Sequence, residues 1–144
     1  MKKVTQLLTK KGNTVTTIPA TESVYEALER MVARNIGALI VTHEGEYAGL
    51  ITERDYARKV VLKGKASKET TVAEIMDSKP ATVSLNDPLE RCMELMSDKH
   101  IRYLPVLAEG QVVGLVSMGD LVRFIIEDQD VTIRDLQNYI SGTT

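Results

Sequence analysis

A single cysteine, Cys92, stands in 144 residues, so neither an intramolecular disulfide framework nor a cysteine-built metal cluster can form. Tryptophan is absent, phenylalanine occurs once, and aromatic residues make up 4% of the chain. The core must therefore come from Val, Ile, Leu, Met and Ala, and few aromatic faces exist on which nucleic-acid bases could stack. Charge of one sign is lacking too. Eighteen basic and 20 acidic residues leave a net charge of −2, too little to recruit nucleic acid or an anionic membrane. No apolar run approaches the roughly 18 residues of a membrane span. The opening Met1-Lys2-Lys3-Val4-Thr5-Gln6 has no signal-peptide core. These absences lead to the expectation of a cytoplasmic protein with no membrane partner. What remains, 43% hydrophobic and 26% charged residues, is ordinary globular composition for one compact unit.

What the chain does have is a repeat. Shifted by 65 residues, Gly49-Leu50-Ile51-Thr52-Glu53-Arg54-Asp55 falls on Gly114-Leu115-Val116-Ser117-Met118-Gly119-Asp120. The register runs without a gap from Thr17/Thr82 to Arg58/Arg123, and 12 of those 42 positions are identical. A repeat of this kind sets the architecture before any local reading does. Two half-units that each need a partner surface should pack on each other, and a site at their junction would come in two versions. The outer segments Val4-Thr5-Gln6-Leu7-Leu8 and Val72-Ala73-Glu74-Ile75-Met76 also echo each other, but at a shift of 68. Copy one thus carries three extra residues near Gly12-Asn13-Thr14.

Each copy reads β-α-β-β-α, an α/β (α+β) plan. In copy one, Thr14 to Ile18 is β-rich and Thr21 is a candidate helix cap. Val24, Ala27, Leu28, Met31 and Val32 then mark one helical face. Ala38 to Val41 and Tyr47 to Ile51 form a hairpin around Glu44-Gly45, and a second helix turns Tyr56, Val60 and Val61 inward. In copy two, Asn86 is the candidate cap and Pro88 suits a first helical turn. Leu89, Cys92, Met93 and Met96 form the buried face, with Cys92 a small core filler. Tyr103 to Leu107 and Val112 to Val116 form the hairpin around Glu109-Gly110, and Leu121, Val122 and Ile125 belong to the last helix. Pro105 inside a strand implies an edge or a strand start. The expected division is repeat one at 4–63, a linker at 64–71, repeat two at 72–127 and a helical tail at 128–144.

The doubled Gly-apolar-apolar-[Ser/Thr]-x-x-Asp carries the chemistry. One reading is a capping box, Thr52 or Ser117 starting a helix with Asp55 or Asp120 one turn on. The other is a nucleotide site. A hydroxyl at a helix start sits where free N–H groups favour phosphate, the Asp can accept both hydrogen bonds of a ribose diol, and glycine in a strand permits close approach of a ligand. No nucleophile, base or metal spacing accompanies it; His43 reads as a surface residue.

With these motif ends, and with His100-Ile101-Arg102-Tyr103-Leu104-Pro105-Val106 and Glu53-Arg54-Asp55-Tyr56, the chain over residues 4–127 resembles a pair of CBS (cystathionine-beta-synthase) domains, a Bateman module. The resemblance implies two tandem repeats related by pseudo-two-fold symmetry and two clefts between them. Site one would use Leu50, Thr52 and Asp55 with Thr82, Val83, His100, Ile101, Arg102 and Tyr103. Site two would use Leu115, Ser117 and Asp120 with Thr17, Ile18, Pro19, Ile36, Gly37 and Ala38. It also implies an adenine ligand (AMP, ADP, ATP, NAD or S-adenosylmethionine), no catalytic cofactor, a homodimer and an effector partner in trans. A module that has lost its ligand and serves only interaction is the alternative.

The two sites should differ. Copy two has His100 and Arg102 where copy one has Asn35 and Gly37, and copy one has Arg54 where copy two has Gly119. All three basic residues are expected at site one, where an arginine fork suits phosphate. Arg58 and Arg123 could reach phosphates or surface carboxylates.

Overall fold

The structure is a computed structural model and describes residues 2–12 and 14–128. It opens with α1 (Val4–Lys11). Repeat one follows as β1 (Thr17–Pro19), α2 (Val24–Arg34), β2 (Ala38–His43), β3 (Glu46–Thr52) and α3 (Glu53–Tyr56), which runs on as a π-helical stretch, Ala57–Val61. Repeat two has α4 (Val72–Ile75), β4 (Val83–Ser84), α5 (Leu89–Lys99), β5 (Tyr103–Ala108), β6 (Gln111–Ser117) and a last helix, α6, over 118–128. The tail beyond residue 128 lies outside the described residues.

Each repeat holds a three-stranded mixed sheet. Its first strand pairs parallel with the second, which pairs antiparallel with the third. The hairpins turn through Glu44-Gly45 and Glu109-Gly110, all four at positive φ, the backbone that a tight two-residue turn needs. The register shifts after Val41 in one sheet and after Val106 in the other, which are equivalent positions.

Pro105 corrects an expectation: it lies inside β5, the central strand of its sheet, opposite Leu115. Its equivalent, Ile40, donates its N–H to the Thr16 carbonyl. Proline has no N–H to offer there. The parallel pairing accordingly starts at Thr17 in repeat one but only at Val83 in repeat two.

Two of the cores are cross-built. Val4, Leu7 and Leu8 of α1 are buried with Val83, Leu89, Cys92, Met96, Leu104, Val106, Val116 and Leu121 of repeat two. Val72 and Ile75 of α4 are buried with Ile18, Val24, Met31, Leu39, Val41, Ile51 and Val60 of repeat one. Each such side chain contributes about 1.5–3 kcal/mol by leaving water, so each short helix is a substantial part of the other half's core. A pair of backbone bridges fixes the exchange, Lys3 with Pro88 and Ser23 with Thr71. The Lys2 carbonyl accepts the first N–H of α5, as the Thr70 carbonyl does for α2. The shifts of 65 and 68 carry one bridge onto the other, as a pseudo-two-fold requires. A third cluster joins the halves: Ala38, Ile40 and Leu50 meet Val15, Tyr47, Tyr103, Val112 and Leu115.

Several local expectations need correction. The cap of α2 is Ser23, whose Oγ accepts from the Glu26 N–H at 3.0 Å, rather than Thr21. Pro88, not Asn86, occupies the cap of α5. Leu95 is buried where Met93 was expected. Val32 lies at the edge of the α2 stripe and is 82% exposed, and Val122 is exposed on α6. Val61 is also exposed, because the wider π turn rotates it off the face that Val60 keeps inward. Cys92 is fully buried, as its match to Ala27 implied. Burial, with Asp87 nearby, pushes its thiol up to about 11.

Candidate functional site

Both motif ends form reciprocal capping boxes. The Asp55 N–H donates to Thr52 Oγ1 at 3.2 Å, and Thr52 N–H and its hydroxyl donate to Asp55 Oδ2 at 3.0 and 3.1 Å. Asp120 N–H donates to Ser117 Oγ at 3.0 Å, and Ser117 N–H to Asp120 Oδ2 at 3.0 Å. The capping reading therefore holds in both copies, and each carboxylate retains further lone pairs for other partners.

Those remaining lone pairs are filled differently. Asp55 Oδ1 meets one cation, Lys59 Nζ at 3.2 Å, which also donates to the Ile75 carbonyl. Asp120 meets two: Lys11 Nζ at 2.5 Å on Oδ2 and Arg123 Nη2 at 2.7 Å on Oδ1. Lys11 donates to the Leu115 carbonyl as well. Burial alone would push the Asp120 carboxyl up; the hydrogen bonds from Lys11 and Ser117 outweigh it and hold the group below the usual carboxylate range.

The motif glycines face protein rather than open space. A Cβ at Gly49 would lie 2.3 Å from the Asp77 carbonyl oxygen, because Leu50 and Asp77 exchange both backbone hydrogen bonds. A Cβ at Gly114 would lie 2.8 Å from the Leu8 side chain. The close approach expected for a ligand is made by the chain's own 77–78 and α1 segments.

Around site one, Arg54 and His100 are brought together: Arg54 Nη1 donates to the His100 carbonyl. His100 is the left-handed cap ending α5, as Asn35 is for α2, and a cation suits that helix end. The Arg102 side chain is exposed, its carbonyl accepts from Met118 N–H, and no hydrogen bond or ion pair among the described residues joins it to Thr52 or Asp55. Arg54 thus reaches His100 through the main chain alone. Leu50 belongs to the cluster joining the halves. Thr82 is half-buried, while Val83 is buried in the repeat-two core and Ile101 packs against it.

Around site two, the Tyr103 hydroxyl stands against Gly37, 2.3 Å from where a Cβ would be, with Glu53 Oε1 beside it. Burial, then the Glu53 carboxylate, push that hydroxyl above its usual range. Tyr103, expected at site one, thus also abuts a site-two residue. Ile18 and Ala38 are fully buried, leaving backbone alone for a ligand, and Ile36 is partly buried. Thr17 and Pro19 are exposed, and the Thr17 carbonyl accepts from Arg30 Nη1 at 2.9 Å. Leu115 is half-buried at the junction, with its carbonyl on Lys11. Lys11, Lys59 and Glu53 were not anticipated. Lys11 lies outside the 65-residue register, and the three-residue excess beside it was its one visible signal.

Comparison with known proteins agrees with this architecture. The CBS domain family matches twice, at residues 4–62 and 72–127. A curated relative from Arabidopsis thaliana, the mitochondrial CBS domain-containing protein CBSX3, is 40% identical over 126 residues, covering 84% of this chain and 61% of that protein. A crystal structure of the CBS domain NE2398 shares 46% identity with a TM-score of 0.83, covering 87% of this chain and 98% of that one. A CBS-domain protein from Burkholderia ambifaria, described as a putative signal-transduction protein, shares 44% with a TM-score of 0.85, covering 89% and 96%. The chain belongs to the CBS-domain family and carries a tandem pair of these domains. The CBS domain pair of protein MJ0100, 27% identical with a TM-score of 0.78, was crystallised with 5′-methylthioadenosine and S-adenosyl-L-methionine. Among the described residues no helix is long and apolar enough to cross a membrane.

Proposed function

We propose that this CBS pair is a non-catalytic regulatory module that binds an adenine nucleotide or adenosyl compound between its halves and controls a partner in trans. The carrying observation is the doubled hydroxyl–Asp motif, each copy at the start of a helix beside the cluster that joins the repeats. The MJ0100 pair with its two adenosyl ligands supports the ligand class. Site one is the principal site, because Asp55 faces a single, longer-range cation. Bound ligand would bias the relative setting of the halves, and the partner reads that setting. The reading extends to a homodimer in the cytoplasm, built on exposed apolar residues of the helices such as Val32, Val61, Val122 and Ile126.

Calorimetric titration with AMP and with adenosine at low and high salt tests the ligand. AMP is expected to bind more tightly than adenosine, with an advantage that shrinks as salt screens the phosphate contacts. Native mass spectrometry of the purified protein should show a co-purified adenine compound and twice the 16.0 kDa chain mass. Equal affinities at both salt levels remove the phosphate role. No binding of any adenine compound leaves the interaction module as the reading.

A further inference from the structure

The two halves differ by three residues before their first strands, and the difference lands in the binding motif. Helix α4 stops at Ile75, and the chain then turns so that Asp77 N–H bonds the Leu50 carbonyl on β3. Helix α1 runs on to Lys11 before Gly12, at positive φ, ends it. The backbone donor is replaced on that side by a side chain: Lys11 Nζ bonds the Leu115 carbonyl on β6, the equivalent of Leu50. From there the ammonium also reaches Asp120 Oδ2 at 2.5 Å, while Arg123 holds Oδ1. The side chain of Asp120 is only 9% exposed. With the Ser117 N–H on Oδ2 as well, both carboxylate oxygens are occupied, each by a cation.

We propose that Lys11 is a tethered counter-ion that closes site two and makes the pair select one nucleotide per chain, at site one. This rests on the reading of both motifs as nucleotide sites. A ribose diol arriving at Asp120 must displace an ammonium that pairs charge with charge, and its neutral hydroxyls are the weaker donors. At Asp55 the diol competes only with Lys59, at 3.2 Å.

The test uses the full chain and AMP as probe. Four proteins are titrated calorimetrically: wild type, Lys11→Met, Asp55→Ala and the double variant Lys11→Met/Asp55→Ala. Wild type is expected to bind one AMP per chain and Lys11→Met two. The double variant should bind AMP at least about tenfold more tightly than Asp55→Ala. A carbon-detected NMR titration of Asp120 supplies a ligand-free readout: its carboxyl midpoint should rise in Lys11→Met. One AMP per chain in both wild type and Lys11→Met, or weaker binding in the double variant than in Asp55→Ala, overturns the proposal and leaves the nucleotide reading standing. An Asp120 midpoint indifferent to Lys11 overturns the ion pair itself. If the midpoint moves but neither protein binds AMP, the nucleotide reading falls and the closing role falls with it.

Discussion

Asp55 and Asp120 sit one turn inside equivalent helices, and each closes a capping box with the hydroxyl residue three before it. One cation stands by the first, at 3.2 Å; two stand by the second, at 2.5 and 2.7 Å. Equal motif residues have thus been given unequal surroundings by segments outside the motif. In repeat one a backbone N–H from residue 77 meets the strand; in repeat two a lysine on a longer helix does. A motif defines which groups are present, and the neighbouring chain decides whether they are free.

The largest expected break in this comparison comes from the glycines. Gly49→Ala should destabilise by about 3 kcal/mol, because the new methyl meets the Asp77 backbone, which is pinned by two hydrogen bonds. Gly114→Ala should cost about 1 kcal/mol, since the Leu8 side chain it meets can rotate away. Urea midpoints of the two variants measure the contrast, and equal losses would contradict it. Next in size is ligand affinity. Asp55→Ala should weaken AMP binding roughly ten- to a hundredfold, the worth of hydrogen bonds to a charged group, and Asp120→Ala should weaken it less than about threefold because that carboxylate is already engaged. Calorimetry in parallel ranks them; the reverse order makes site two the principal site.

The smallest effect lies on the acid limb of stability. The Asp120 carboxyl is held below the usual range by Lys11 and Ser117 against the cost of burial, with Arg123 on its other oxygen. A depressed carboxyl stabilises the fold above its unfolded value of about 3.9 and loses that contribution as pH falls through the lower folded value. Wild type should therefore melt above Asp120→Asn at pH 6, and the gap should close below about pH 4. A gap that widens in acid would mean the carboxylate is not held by these cations.

Much of the fold was legible because the repeat itself is a measurement. Both hairpins, both crossover helices and the two motif ends follow from the 65-residue register, and Cys92 took the place that its match to Ala27 implied. What escaped reading was set by contacts distant in sequence. Pro105 reads as an edge residue, yet sits in a central strand because its neighbour β4 begins one pair later. Val61 fits an α-helical stripe, and only the π turn puts it outside. At the site, Arg54 reaches the main-chain carbonyl of His100, a contact that the alignment of side chains does not specify, and Arg102 is exposed. Lys11 lies outside the 65-residue register: only the shift of 68 reaches it, pairing it with Lys79, and the three-residue excess begins just after it.

The crossed cores also constrain how the molecule comes into being on the ribosome. The half built around β1–β3 lacks part of its interior until residues 72–75 have emerged, and α1, made before either sheet, has its seat among residues 83–121. A nascent chain, which ordinarily completes its N-terminal unit first, must here hold the apolar face of α1 in waiting until repeat two has emerged. The two repeats are consecutive in sequence, but they mature together.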